Sequence, residues 1–229
     1  MTMCFIRKLL VIITFFFTIT LLAQKNLIGY YEPSVALNYE AATNYLHNFS
    51  ISNRNYIYNE EAYLFKTRQI DLSHFSELKI SSNKSISLGI QYRFRSNFEP
   101  DKTNELRLTQ QYNFTNKPDK IRFGHRFRSE QRLQPSQTVF RFRYRFAVDL
   151  PLQGDKLDIG EAYLISSTEC LLSLAKANTP SYDQRFSTQI GYKLSEVSKL
   201  QIGLEYRLED YTNQLEHVLF LNSSLIFSL

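Results

Sequence analysis

The sequence predicts an all-β protein, an antiparallel transmembrane β-barrel of twelve strands, or of ten, preceded by an N-terminal signal peptide. Three observations predict it. First, "FRFRYRF" at residues 140–146 puts Phe140, Phe142, Tyr144 and Phe146 on one parity and Arg141, Arg143 and Arg145 on the other. A strand sends successive side chains to opposite faces, whereas a helix would smear this pattern round its circumference. Second, the same period of two recurs along nearly the whole chain, and no convincing period of 3.6 accompanies it. Third, beyond the N-terminal segment no stretch has the roughly 18 apolar residues that a membrane helix needs. The exported class that crosses lipid without such helices is the barrel, apolar side out and polar side in.

The N-terminal segment supplies the export signal. Arg7 and Lys8 form a short positive region, Leu9 to Leu22 is apolar apart from threonines, and Leu21-Leu22-Ala23 offers a cleavage site before Gln24. At about 1.5 Å per residue this run falls short of the roughly 30 Å hydrocarbon core, which favours a signal peptide over an anchor. The expected organisation is residues 1–23 as signal peptide and 24–229 as outer-membrane barrel, with cleavage near Ala23. Cys4 lies too early to accept a lipid, and the mature chain keeps Cys170 alone, so no internal disulfide and no cysteine-based metal framework is expected. Removing Arg7 and Lys8 leaves 25 basic residues against 22 acidic ones, too mild a balance to argue for nucleic acid.

In chain order, residues 34–40 and 48–58 read as strands, and residues 65–80 contain another with a bulge. Around 86–95, Ile86, Leu88, Ile90, Tyr92 and Phe94 oppose Ser87, Gly89, Gln91, Arg93 and Arg95. Next, Leu106, Leu108, Tyr112 and Phe114 oppose Glu105, Arg107, Thr109, Gln111 and Asn113. In "KIRFGHRFRSEQR", Ile121, Phe123 and Phe127 oppose Arg122, Arg126, Arg128, Glu130 and Arg132. The 140–146 strand follows. Residues 157–174 read as one long strand of undecided facing, because Glu161 and Glu169 share a parity with Ile159, Tyr163 and Ile165. In 185–194, Phe186, Ile190, Tyr192 and Leu194 oppose Arg185, Gln189 and Lys193; in 200–209, Leu200, Ile202, Leu204, Tyr206 and Leu208 oppose Gln201, Gly203, Glu205, Arg207 and Glu209. The last segment ends with Leu225, Phe227 and Leu229 on one face, a partial match to the aromatic final strand that barrel-assembly machinery recognises.

That makes eleven clear segments. Bacterial single-chain barrels usually have an even number of strands. An extra strand near Leu27–Tyr31, broken by Pro33, would give twelve; a first segment outside the wall would give ten. Short connections ("EAATN", "SSNKS", "TNKPDK", "QGDK", "SEVSK") alternate with longer polar ones (59–63, "SNFEPDKTN", "LQPSQT", "KANTPSYD", "YTNQLE"), which puts the short set on the periplasmic side.

The alternation has a chemical consequence. An arginine on the lipid face costs about 2–4 kcal/mol at the midplane, so the arginines must line the interior. Arg93, Arg95, Arg107, Arg122, Arg126, Arg128, Arg132, Arg141, Arg143 and Arg145 would form a basic wall, with Glu105 and Glu130 as the acids among them and Glu205 and Glu209 across the barrel. A wall of cations in a pore selects anions. The alternative is a closed structural barrel filled by an Arg–Glu network. A second alternative, an outer-membrane lipid-modifying enzyme, needs a catalytic set. Of the four histidines, His47, His74, His125 and His217, His125 falls on the lipid-facing parity and His47 and His217 sit near strand ends. No nucleophile elbow, phosphate loop or metal-ligand spacing is present, and no cofactor or metal is expected. The tripeptides at Asn48, Asn83, Asn113 and Asn222 match the glycosylation acceptor pattern as products of polar alternation.

On "FKTRQIDLSHFSELKI", "LGIQYRFRSNFE", "NELRLTQQYNF", "RFGHRFRSEQR", "FRFRYRFAVDLPL" and "LQIGLEYRLEDY", the chain resembles a widespread bacterial family of uncharacterised outer-membrane barrels, a domain of unknown function. The resemblance spans essentially the whole mature chain. It implies a barrel in the outer membrane of a Gram-negative bacterium, in contact with lipid and lipopolysaccharide, and it brings no functional residues. A looser likeness, in size and arginine-lined interior only, is to small monomeric porins for acidic oligosaccharides. Anionic small solutes are therefore the expected ligands.

Overall fold

The computed structural model describes residues 27–176 and 178–229; the expected signal peptide lies outside them. The described residues form eleven strands and no helix: β1 (Leu27–Ala42), β2 (Tyr45–Asn59), β3 (Ala62–Ser81), β4 (Lys84–Phe94), β5 (Glu105–Asn116), β6 (Arg122–Leu133), β7 (Thr138–Pro151), β8 (Ala162–Ala175), β9 (Asn178–Lys193), β10 (Ser198–Glu209) and β11 (Glu216–Ser228). Each pairs with its sequence neighbours, and β11 returns to β1, closing the barrel.

The count corrects the expected twelve or ten. It also corrects the all-antiparallel wall: β1 and β11 run parallel, from Leu27 opposite His217 to Asn38 opposite Ser228. Pro33 does not break β1. The ladder to β2 passes from Tyr31 opposite Asn55 to Ser34 opposite Ser52 without a shift, leaving the missing proline N–H in the gap. On the seam side, side chains reinforce the strand. Tyr31 Oη lies 3.0 Å from Ser223 Oγ and Ser34 Oγ lies 2.6 Å from Ser224 Oγ. Following the hydrogen bonds across all eleven strands, one leaves β1 at Ala42, its last residue, and returns at Leu27, its first. Such a large stagger is what strands tilted by about 35–45° require.

The outer surface carries the apolar set: Ile86, Leu88, Ile90, Phe140, Phe142, Tyr144, Ile202 and Leu204 are all exposed. Glu105, Arg107, Thr109, Gln111 and Glu130 are buried inside. The undecided segment resolves as β8 preceded by a turn over 152–161. Tyr163, Glu169 and Leu171 all point inward, so two interior apolar residues hid the facing of the acid. Two interior glycines are required by close approach. The Phe75 ring lies over Gly89 and the Tyr163 ring over Gly191, each occupying the space of a Cβ.

The expected contrast between short and long connections is absent. One mouth carries turns at 43–44, 82–83, 117–121, 152–161 and 194–197; the other carries 60–61, 95–104, 134–137 and 210–215 and the connection from β8 to β9. Each mouth has its own ten-residue connection. Several polar stretches that read as loops, including most of "KANTPSYD", are instead strand, because hydrogen-bonded hairpins continue beyond the apolar band.

Candidate functional site

All ten predicted arginines lie inside the barrel or at its mouths, brought together by alternation on β4 to β7. Carboxylates hold eight of them. Arg93 donates two bonds to Asp71, at 2.8 and 2.7 Å. Arg95 donates to Glu99 at 2.5 Å. Arg107 pairs with Glu105, and Arg122, at one mouth, with Asp149. Arg128 and Arg132 lie 3.5 Å from Glu130, and Arg132 also 4.0 Å from Glu105. Arg141 lies 3.7 Å from Asp183, and Arg143 bridges Glu130 and Glu169 at 2.7 Å each. Across the barrel Arg207 sits between Glu205 and Glu209, as the sequence placed them.

The wall is therefore not a field of unpaired guanidiniums, as two visible acids implied. Asp71, Glu99, Asp149, Glu169 and Asp183 are the residues the sequence reading missed. Asp71 shares its parity with the interior Phe75, which masked a strand whose other face is Ile70, Leu72 and Leu78. Asp183 lay in a stretch that read as loop. The signal that would have found Asp71 is its position opposite Arg93, once the hairpin between β3 and β4 is registered.

Carboxylates are nonetheless scarce relative to guanidiniums. Glu130 serves Arg128, Arg132 and Arg143; Glu169 and Asp183 both serve Arg185 as well. Nε of Arg68, Arg132, Arg145 and Arg185 and Nη2 of Arg107 are buried without a hydrogen-bond partner, as is Glu130 Oε2, 3.5 Å from Arg132 Nε. Buried donors of this kind are uncommon and costly unless something accepts from them.

Two polar cavities open on the lumen. One, of about 370 Å³, lies under the 95–104 connection and is lined by Arg93, Arg107, Arg132, Arg141, Arg185 and Arg207 with Asp71 and Glu209. The other, of about 460 Å³, lies at the opposite mouth and is lined by Arg122, Arg126, Arg145, Lys79 and Lys84 with Glu77 and Asp149. They share no lining residue. Phe75, Gln111, Arg128, Glu130 and Glu169 belong to the belt between them, with the Arg128 guanidinium 5.3 Å from the Phe75 ring centre. Beside the seam, Tyr30, Val218 and Phe220 form a small apolar core inside the barrel, over which Arg54, Arg68 and Arg207 lay their guanidiniums at 3.8 to 5.5 Å.

Of the histidines, only His125 borders one of these cavities, the 460 Å³ one. His125 stacks with outward Phe114 and Tyr144, as its parity predicted; His47 and His74 contact each other at 3.0 Å beside Phe49; His217 meets Tyr206. Among the described residues no group of three or more metal-ligating side chains is present.

The sequence model of a family described as "Protein of unknown function (DUF2490)" matches residues 33–217. No curated protein matches the chain.

Proposed function

We propose that this chain, which belongs to the DUF2490 family of proteins of unknown function, is an outer-membrane barrel whose lumen admits small anionic solutes, acidic oligosaccharides among them, in the manner of a small porin. The export segment before Ala23 and the exposed apolar girdle support the membrane setting. A water-soluble protein rarely exposes a contiguous apolar patch beyond a few hundred Å², whereas lipid requires one. The single observation that carries the anion reading is the shortage of carboxylates: Glu130, Glu169 and Asp183 each serve more than one arginine, and Nε of Arg145 is buried without a partner. A passing anion accepts from those donors and exchanges along them, as multi-site conduction needs.

The refolded barrel in a planar bilayer under a potassium chloride gradient tests this. An ohmic current whose reversal potential follows chloride is expected. Cation preference, or no current from protein that is folded by its gel shift on heating, would exclude the anion-path reading; the silent result would leave the closed barrel. Recovery of the native protein in the soluble periplasmic fraction would exclude the membrane setting altogether.

A further inference from the structure

Like charges directly opposite one another across a sheet repel. This wall nevertheless sets four arginine pairs in register: Arg107 opposite Arg132, Arg128 opposite Arg143, Arg126 opposite Arg145, and Arg185 opposite Arg207. Three of the four are neutralised from within. Glu105 stands between Arg107 and Arg132, and Glu130 between Arg128 and Arg143. Arg185 has Glu169 and Asp183, and Arg207 has Glu205 and Glu209.

The fourth pair has no carboxylate in contact: Glu169, opposite Arg145 on β8, turns to Arg143 and Arg185 instead. Arg126 Nε donates to Asn113 Oδ1 at 3.1 Å, and among the described residues neither Arg126 nor Arg145 has an acid within salt-bridge distance. Nε of Arg145 is buried without a partner. Both side chains line the 460 Å³ cavity. The two acids of that cavity are otherwise engaged: Asp149 takes Arg122, and Glu77 takes Ser87 and Asn113, at 3.2 and 3.4 Å. Lys84 adds charge of the same sign, as does Lys79, itself 3.6 Å from Glu40, and Ser85 and Thr115 add hydroxyls.

We infer that the Arg126–Arg145 pair is a binding site for a small oxyanion, a phosphate or a solute's phosphate or carboxylate group. The ligand takes the place that Glu105 and Glu130 hold for the other pairs. Two guanidinium forks suit the several acceptors of such a group. The inference deepens the anion reading of the lumen and rests on it for biological meaning, but its test does not depend on conduction.

The test is the thermal unfolding of the full barrel refolded in a zwitterionic detergent, with inorganic phosphate titrated against chloride at constant ionic strength. A saturable rise in melting temperature is expected, as for any ligand that binds the folded state alone. Arg126→Gln and Arg145→Gln should each abolish it, and Lys102→Gln, at the far mouth, should not. These variants remove a repulsion, so they fold. A further variant reads the logic directly. Ala147 faces the cavity two residues from Arg145, the spacing by which Glu105 reaches Arg107 and Glu205 reaches Arg207. Ala147→Glu should raise the melting temperature without phosphate and erase the response to it. No phosphate response in the wild type, or one that survives Arg145→Gln, overturns the inference. Stabilisation by phosphatidylglycerol micelles without any by free phosphate would assign the group to a lipid headgroup and overturn the solute site. A silent bilayer recording beside a positive phosphate titration would sink the channel reading alone.

Discussion

Arg143 and Arg145 stand two positions apart on one face of β7, yet their surroundings are opposite. Arg143 is clamped between Glu130 and Glu169 at 2.7 Å each, and the Glu130 side chain is only 3% exposed. Arg145 has no acid. Breaking a buried pair by removing one partner leaves a charge uncompensated in a poor solvent for it, a loss of about 3–5 kcal/mol. Arg143→Ser should fall at the lower end of that range, because Glu130 keeps Arg128 and Arg132 and Glu169 keeps Arg185. Arg145→Ser should leave stability unchanged or raised. The temperature at which the compact band converts to the unfolded one on gels compares the two. Equal losses would mean that the carboxylates do not distinguish these arginines. The alternation of "FRFRYRF" made the facing of both residues plain, but their difference was hidden. Partners in a barrel come from neighbouring strands, and register depends on turns whose lengths the sequence does not state.

At the scale of elements, the 95–104 connection behaves as a folded unit. Asn104 accepts from the backbone N–H groups of Arg95 and Ser96, and Glu99 N–H donates to the Arg95 carbonyl. Glu99 then ties the loop to the wall. Tyr56 on β2 and Arg95 each donate to it at 2.5 Å, and Arg68 on β3 lies 3.7 Å away. Burial pushes the Glu99 carboxyl up, but the bonds from Tyr56 and Arg95 and the charges of Arg95 and Arg68 outweigh it and hold it below its ordinary value. A folded-state pKa that is depressed means the tie is at full strength above the ordinary glutamate range, near 4.3, and is lost as pH falls through the lowered value. Amide exchange in the loop, corrected for its intrinsic pH dependence, should stay slow from neutral pH down to that range and quicken below it. Glu99→Ala should show the fast exchange already at neutral pH. Equal protection in variant and wild type would show that the loop is held by its own backbone instead. Strands such as β4, β5 and β10 were plain from the sequence because their interior residues are all polar or glycine. The strands β3 and β8 were not, because Phe75, Tyr163 and Leu171 are interior and share the parity of the acids.

Across the whole molecule, the odd strand count has a consequence that an even one would not. In a barrel of twelve or ten strands the first and last run antiparallel, so the start of one and the end of the other meet at the same mouth. Here β1 and β11 are parallel, and Leu229 bonds to Asn38 and Glu40, at the far end of β1 from Leu27. The alternation counted eleven segments correctly. The even-number rule then argued for changing that count, since the rule summarises other barrels and nothing in this chain's own pattern measures closure. Leu27 therefore shares a mouth of the barrel with the 95–104 connection, and Leu229 with the 152–161 connection, and in the membrane setting proposed above each pair should lie on one side of the membrane. Single cysteines test this in a Cys170→Ser background, which removes the only thiol among the described residues. Leu27→Cys and Thr103→Cys should react alike with a membrane-impermeant maleimide applied to intact cells, and Leu229→Cys should behave as Asp155→Cys does, oppositely to the first pair. Permeabilised cells should label all four, which controls for burial. If Leu27→Cys and Leu229→Cys label from the same side, the parallel seam is wrong and an even-stranded wall must replace it. The arginine register would survive that outcome, because β4 to β7 pair through local hairpins that do not depend on how the barrel closes.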